Sequence, residues 1–288
     1  VNCLIDAAHA AGVHVRSSVH IRSVAKPDRF VIDLKDDAPL VADRVLLATG
    51  SNPHGYEWAS ALGHTIEPPV PSLFTFEIDD ARLKELPGIS VEKATIKIEG
   101  TSLTQTGPLL ITHWGVSGPA VLKLSAWAAR ELAARHYRAE VIINWLPDFK
   151  GDQLQQRLMS IKTEMARQSV SASSPLHLPL RLWKRLVSAV GIGDDQKWTE
   201  ISKRAILDLA HELSQGTFVM SGKGAFKEEF VTCGGVRLDE VNFKTMESRR
   251  CAGLYFAGEI LDIDGLTGGF NFQSAWTTGW LAGNAMSK

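Results

Sequence analysis

Apolar positions in the opening segment recur in two rhythms. Leu4, Ile5, Ala7, Ala8 and Ala11 fall at helical spacing and Gly12 follows as a stop, which predicts a helix. Val13-His-Val-Arg16 and Val19-His-Ile-Arg22 alternate apolar with polar side chains, the period of a half-buried strand. Phe30-Val-Ile-Asp-Leu34 is expected to return beside them across the polar turn at Lys26-Pro-Asp28. Val45 to Ala48 is apolar without interruption, as a parallel strand covered on both faces requires. Pro68, Pro69 and Pro71 then mark a boundary.

Beyond it, strand-like runs are expected at Leu73 to Ile78, Val91 to Ile98, Leu109 to Thr112 and Ala139 to Trp145. A helix from Pro119 to Arg135 interrupts them, with Pro119 suited to the first helical position and Ser117 or Gly118 to the cap. Residues 148–214 turn helical: Leu154, Leu158 and Ile161 share one face, Leu182, Leu186 and Val190 another, and Ile201, Leu207 and Leu209 a third. Ser169 to Pro175 is the polar linker between two of these helices. Thr217 to Val219 and Glu229 to Thr232 return to strand character. The last strand, Leu254 to Ala257, runs into Gly258-Glu259, a glycine-rich loop, and a helix with Ala275, Gly279, Ala282 and Gly283 on one face.

Composition narrows the class. With 288 residues, 44% hydrophobic and 22% charged, the chain has the balance of a soluble globular protein with ample core. A net charge of −1 gives no global field toward nucleic acid or anionic lipid. No apolar run reaches the roughly 18–20 residues that span a bilayer, and no basic-then-apolar signal opens the chain, so a cytoplasmic location is expected. The three cysteines, Cys3, Cys233 and Cys251, lack paired spacing, which argues against zinc and a disulfide framework.

The densest candidate chemistry lies near the C-terminus. Gly258 lets the backbone turn at the end of an apolar strand, and Glu259 is placed to accept hydrogen bonds from sugar hydroxyls. Gly268 and Gly269 precede a helix start, whose unpaired N–H groups suit an anion or an electron-rich ring edge. Thr49 and Gly50 end the earlier apolar strand in the same manner. A G-x-G-x-x-G turn between strand and helix is not found, and Gly50 to Gly55 lacks the Lys-Ser/Thr of a P-loop.

An ordered set of stretches carries a resemblance: Val45-Leu-Leu-Ala-Thr-Gly50, Leu62-Gly-His64-Thr-Ile66, Thr112-His-Trp-Gly-Val-Ser-Gly-Pro119, Val231-Thr-Cys-Gly-Gly-Val236, Lys244-Thr-Met-Glu-Ser248 and the segment from Gly253 to Gln273. Nearly end to end, the chain resembles the bacterial NAD(P)/FAD-dependent flavoproteins of the aminoacetone-oxidase and BaiN-like family. The resemblance implies an α/β fold: a Rossmann-like FAD domain built from residues 1–70 and 232–288, its N-terminal βαβ unit missing. It also implies an inserted strand-rich module over 71–147 with return strands at 215–231, and a helical subdomain over 148–214. The chain is accordingly expected to be a fragment of a longer flavoprotein. FAD is the implied cofactor, with NAD(P)H as a possible electron donor. The residues implied to hold it are Ile21, Thr49, Gly50, Gly258, Glu259, Gly268, Gly269, Phe270, Asn271 and Phe272. The chain departs from the family after Ala-Thr-Gly, where Ser51-Asn-Pro-His-Gly55-Tyr56 replaces a longer loop.

The expected function is a flavin-dependent oxidoreductase that reduces an alkene- or imine-type small molecule, or oxidises a small amine. Neither nucleic acid nor membrane is expected as a partner. The alternative is a non-catalytic form of the scaffold that does not retain FAD. His113 is a candidate proton donor, against a structural histidine beneath helix 119–135. Ser117 suits a cap better than a nucleophile, because Pro119 replaces the last glycine of an elbow. Cys233 reads as packing, Asp262 and Asp264 as substrate contacts or loop flanks, and Lys223, Lys227, Arg249 and Arg250 as solvated surface. Of the eight tryptophans, Trp114 and Trp276 lie beside flavin-type motifs.

Overall fold

The computed structural model describes residues 2–224 and 231–288. The chain is mixed α/β and divides into two compact units. One comprises Val1–Pro68, Gly235–Asp262 and Phe272–Lys288; the other comprises Pro69–Gly234 and Ile263–Asn271. Lys227 and Glu229 lie outside the described residues.

The first unit holds two sheets. Ile21–Ala25, Phe30–Leu34 and Leu40–Ala42 form an antiparallel sheet in that order. The alternation at Val13 to Arg16 does not become a strand. Val13, Val15 and Val19 are exposed, so no packing partner rewards an extended backbone there. Asn2–Ala10 is helical, although none of its residues is buried.

The second sheet runs in the order Val241–Asn242, Glu247–Ser248, Leu254–Phe256 and Val45–Leu47. Its last pair is parallel, with Leu254, Tyr255 and Phe256 opposite Val45, Leu46 and Leu47. The ladder continues one step, since Ala257 N–H donates to the Leu47 carbonyl at 3.1 Å. Leu254 and Phe256 are fully buried, as the continuous apolar run requires.

A polar strut lies inside this unit. His64 Nδ1 is 2.9 Å from Glu240 Oε2, and Nε2 is 2.7 Å from Ser248 Oγ. Ser248 Oγ already accepts N–H bonds from Arg250 at 2.9 Å and Cys251 at 2.7 Å. Its hydroxyl proton therefore points to Nε2, which leaves the neutral imidazole to donate from Nδ1 to Glu240. Arg250 Nη2 lies 2.7 Å from the other Glu240 oxygen, and Thr65 N–H donates to Oε2 at 3.0 Å. The Phe256 ring meets the imidazole edge-on at 4.7 Å between centroids.

The other unit carries an antiparallel seven-stranded sheet, in the order Gly216–Met220, Ala139–Asn144, Ser90–Ile98, Thr104–Ile111, Gly115–Ser117, Phe76–Glu77 and Gly222–Lys223. Helices Gln153–Glu164, Leu180–Ala189 and Lys203–Gln215 form its helical part. Ile96, Ile98, Leu109, Trp145, Trp183 and Trp198 share one core with their apolar faces. Arg82 clamps sheet to helix: it pairs with Asp80 at 2.7 Å and Glu212 at 2.8 Å, donates to the Thr217 carbonyl, and stacks 3.7 Å over Phe218. The helix expected over Pro119 to Arg135 is two, Pro119–Trp127 and Ala129–Ala134, and no glycine or proline accounts for the break.

Burial drives the His64 imidazole below its usual range, against the pull of Glu240. Burial opposes ionisation of Glu240 too, but hydrogen bonds from Thr65 and Arg250 outweigh it and hold its carboxyl low. In both cases the folded state releases protons that the unfolded chain holds, so this stability is present at high pH and lost as pH falls. Thermal melts should show full stability above about pH 6.5 and progressive loss below it. His64→Ala should cost roughly 2–4 kcal/mol. A melting temperature flat from about pH 7 to 5 would contradict this account.

Candidate functional site

The parallel pairing of Val45–Leu47 with Leu254–Phe256 brings two chain reversals to the same sheet end. From the first strand emerge Thr49 and Gly50, the latter at φ 58, followed by helix Pro53–Ala61. Asn52 caps that helix by accepting the His54 N–H at 2.9 Å, and Pro53 takes the first position, where its missing N–H is harmless. From the second strand emerge Gly258, at φ 74, and Glu259 in the turn Gly258–Ile260. Gly258 N–H donates to Thr278 Oγ1 at 2.9 Å, which fixes this turn against the C-terminal helix Phe270–Met286. The carboxyl end of adjacent parallel strands is where open α/β sheets bind ligands.

Two hydroxyls here are buried without a hydrogen-bond partner among the described residues: Thr49 Oγ1 and Tyr56 OH. An unmade buried hydrogen bond costs roughly 1–3 kcal/mol, so such groups mark places where a ligand or water completes the structure. Tyr56 is 8% exposed. Burial, with the nearby carboxylates of Glu259 and Asp262, pushes its phenol up to about 12. It is therefore a protonated donor at neutral pH. Thr49 Oγ1 is packed on Gly55, where an added Cβ would lie 1.9 Å away. Only glycine admits that approach.

Thr49, Gly50, Gly258 and Glu259 are thus brought together in one unit. Ile21 opens the strand Ile21–Ala25 of the same unit, half-buried opposite Leu34, and helix Pro53–Ala61 packs against that strand. Phe272 belongs to this unit as well and is 75% exposed. Tyr56 is the residue that sequence reasoning missed. The loop after Ala-Thr-Gly stands out for its shortness, yet an aromatic at the fourth position of a helix gives no signal of its own.

Gly268, Gly269, Phe270 and Asn271 belong to the other unit. The two glycines are exposed and adopt positive φ of 121 and 86. Asn271 turns its side chain back on the loop, accepting from Gly265 N at 2.6 Å and donating to Gly265 O at 3.0 Å. That amide closes the loop, so only the Asn271 backbone is free to face a ligand. Phe270 is exposed, and Asp264 accepts from Ser72 Oγ at 2.8 Å.

His113 is in that unit too, but not beneath a helix. Thr112 N–H donates to Gly115 O at 2.8 Å, which leaves His113 and Trp114 as the tip of a tight hairpin between Thr104–Ile111 and Gly115–Ser117. Gly115 is required there: a Cβ would meet the Phe76 carbonyl at 2.3 Å. Both rings are exposed, beside a cavity of about 300 Å³ that Asp79, Lys84 and Ser221 also line. Ser117 neither caps nor stands on an elbow; it is the last residue of a strand and accepts from Thr75 Oγ1 at 3.0 Å, while Gly118 takes the cap position. Cys233 is buried, and none of Cys3, Cys233 and Cys251 is in a disulfide. Among the described residues no cluster suits a metal ion, and no helix is long and apolar enough to cross a membrane.

A model of the HI0933-like protein barrel and H2TH domain matches residues 70–231. The chain is 32% identical over 293 residues to the ribosomal RNA dihydrouridine synthase of Escherichia coli, covering 97% of this chain and 70% of that protein. It is 28% identical to the 3-dehydro-bile acid delta(4,6)-reductase of Clostridium scindens, over 96% of this chain and 70% of the relative. The ribosomal RNA dihydrouridine synthase of Haemophilus influenzae is 33% identical over 83% of this chain and 57% of its own length. The chain belongs to the HI0933-like family. Relatives named as a reductase and as dihydrouridine synthases mark an oxidoreductase-type family, and the resemblance to flavoproteins is supported at that level.

Gly55→Ala tests the geometry of this strand end. The new methyl group would force Thr49 or the start of helix Pro53–Ala61 to move, at a cost of about 1–3 kcal/mol. Gly50→Ala lacks the steric clash and should cost less, about 1 kcal/mol, through its positive φ alone. Chemical denaturation checks the order; equal stabilities would refute the close packing of Thr49 on Gly55.

Proposed function

We propose that this chain belongs to a cytoplasmic flavin-dependent reductase that saturates a carbon–carbon double bond conjugated to a carbonyl. The single observation behind this reading is chemical agreement between the relatives' names. Making dihydrouridine saturates a ring double bond conjugated to a carbonyl. A 3-dehydro-bile acid delta(4,6)-reductase acts on double bonds conjugated to a ring ketone. The substrates differ and the electron demand is the same: a hydride at the carbon β to the carbonyl and a proton at the carbon α to it.

FAD fits the strand end by three features. Two partnerless buried hydroxyls, Thr49 Oγ1 and Tyr56 OH, call for a ligand with hydrogen-bonding groups. The Gly258 turn at φ 74 carries no side chain that would crowd it. Glu259 supplies a carboxylate acceptor for sugar hydroxyls, in the half-buried turn that follows the paired strand. When bound, FAD supplies the hydride equivalent, replenished from NAD(P)H. Glu259 orients the polyol, while Thr49 and Gly50 line the neighbouring strand end. The strand at Ile21 and the backbone at Phe272, in the same unit, are assigned to the same cofactor. His113 is assigned the proton delivered to substrate, since an exposed imidazole on a braced hairpin is suited to proton exchange.

Uridine in ribosomal RNA is the preferred substrate, because two relatives at 32% and 33% identity are named for it. A small unsaturated ketone is the second reading, favoured by the net charge of −1, which provides no general attraction to RNA.

Purified full-length protein incubated with FAD should retain a yellow, protein-bound chromophore, and NAD(P)H should bleach it. A protein that stays colourless would instead support a scaffold without cofactor. Glu259→Ala should weaken FAD binding about 10- to 100-fold, the worth of a charge-assisted hydrogen bond. Unchanged affinity would remove Glu259 from the site. His113→Ala should slow substrate reduction while leaving NAD(P)H bleaching intact; undiminished turnover would end its proton role.

A further inference from the structure

We infer that Tyr56 is a cofactor-binding residue, its phenol donating a hydrogen bond to an acceptor atom of the flavin nucleotide held at the carboxyl end of the paired strands. The inference rests on the flavin reading above and adds a residue, and a direction of hydrogen bonding, that it does not contain.

The geometry is specific. Tyr56 sits in helix Pro53–Ala61, immediately after the glycine on which Thr49 packs. Its ring is more than nine-tenths buried, yet its hydroxyl has no partner among the described residues. Burial of that kind is rarely tolerated unless something else completes the bond. The charged groups that act on it are the carboxylates of Glu259 and Asp262, both beyond the second strand of the pair. A phenol next to carboxylates keeps its proton, and that O–H is completed by an acceptor. The carboxylates themselves only accept. A ligand that reaches Tyr56 at this strand end must therefore present an acceptor oxygen or ring nitrogen toward it, and hydroxyl donors suit the carboxylates beside it. A flavin nucleotide carries both kinds of group; a purely cationic or purely apolar ligand does not.

The competing explanation is an internal water that satisfies the phenol in the ligand-free protein. The two differ in what Tyr56→Phe does to the protein alone. If the hydroxyl waits for ligand, its removal deletes an unmet polar group, and the ligand-free melting temperature stays level or rises. If the hydroxyl is already satisfied, the melting temperature falls.

The experiment measures melting temperature without ligand and FAD affinity by fluorescence titration, for the full-length protein as wild type, Tyr56→Phe and Thr49→Val. The expected result is wild-type FAD binding, a loss of about three- to tenfold in affinity for Tyr56→Phe, and no drop in ligand-free melting temperature. Thr49→Val should behave in the same way if its partnerless hydroxyl faces the same ligand. Wild-type affinity in Tyr56→Phe overturns the inference while the flavin reading survives. A lowered ligand-free melting temperature overturns it as well, in favour of the bound water. Absence of FAD binding by the wild type overturns the flavin reading and this inference together.

Discussion

The candidate site depends on one interaction: the parallel ladder between Val45–Leu47 and Leu254–Phe256. Its two strands are separated by about two hundred positions in sequence, so no local preference creates it. What selects it is burial. Both strands are apolar without interruption, and a strand covered on two faces has no solvent side to set an alternation. Parallel pairing has a consequence that antiparallel pairing lacks, since both chains leave at the same end. Ala-Thr-Gly and Ala-Gly-Glu therefore converge, with a helix start after one and a glycine turn after the other. Without that ladder, Thr49, Tyr56 and Glu259 would be unrelated residues.

What was legible in the sequence followed from periodicity and from glycine. The runs at Val45 and Leu254 predict strands because nothing polar interrupts them, and the runs Val91 to Ile98 and Leu109 to Thr112 predict Ser90–Ile98 and only the end of Thr104–Ile111, whose first half is polar. Gly50 and Gly258 were marked because a turn close to a ligand calls for positive φ, which both adopt. The failures have physical causes. Val13 to Arg16 alternates well but is exposed, so the pattern has no surface to bury against. Ser117 sits beside a helix start but one residue too early, and its hydroxyl is used across strands by Thr75 instead. Tyr56 and the His64 strut depend on contacts between distant segments, which no window along the chain contains.

The second unit obeys a different rule. Its sheet is wholly antiparallel, and its helices bury Leu182, Trp183, Leu186 and Leu209 in the same core as Phe76 and Ile96. This is the part that the family model covers. Arg82 illustrates how a charge is kept in such a place: two carboxylates, a carbonyl and an aromatic face leave almost none of its guanidinium unsatisfied. Removing one partner would strand the rest, whereas the complete set is compatible with burial. The hairpin that carries His113 and Trp114 has the same quality of bracing, through Gly115 against the strand at Phe76.

Two polar clusters in the first unit show why hydrogen-bond accounting separates structure from function better than residue identity does. Ser248, His64 and Glu240 stand in the order and spacing of a nucleophile triad. Yet the serine oxygen already accepts two backbone N–H bonds and donates its own O–H in a hydrogen bond to the imidazole, and all three side chains are buried. Nothing is left to attack a substrate, so the trio is a strut. Thr49 and Tyr56 form no recognisable catalytic pattern, yet their hydroxyls are left unmet, whereas the Glu240 oxygen without a hydrogen bond in the strut is ion-paired with Arg250. Within one unit, the fold leaves the serine and imidazole of the first cluster no group free to react, and leaves two hydroxyls unmet at the strand end where the chain reversals converge.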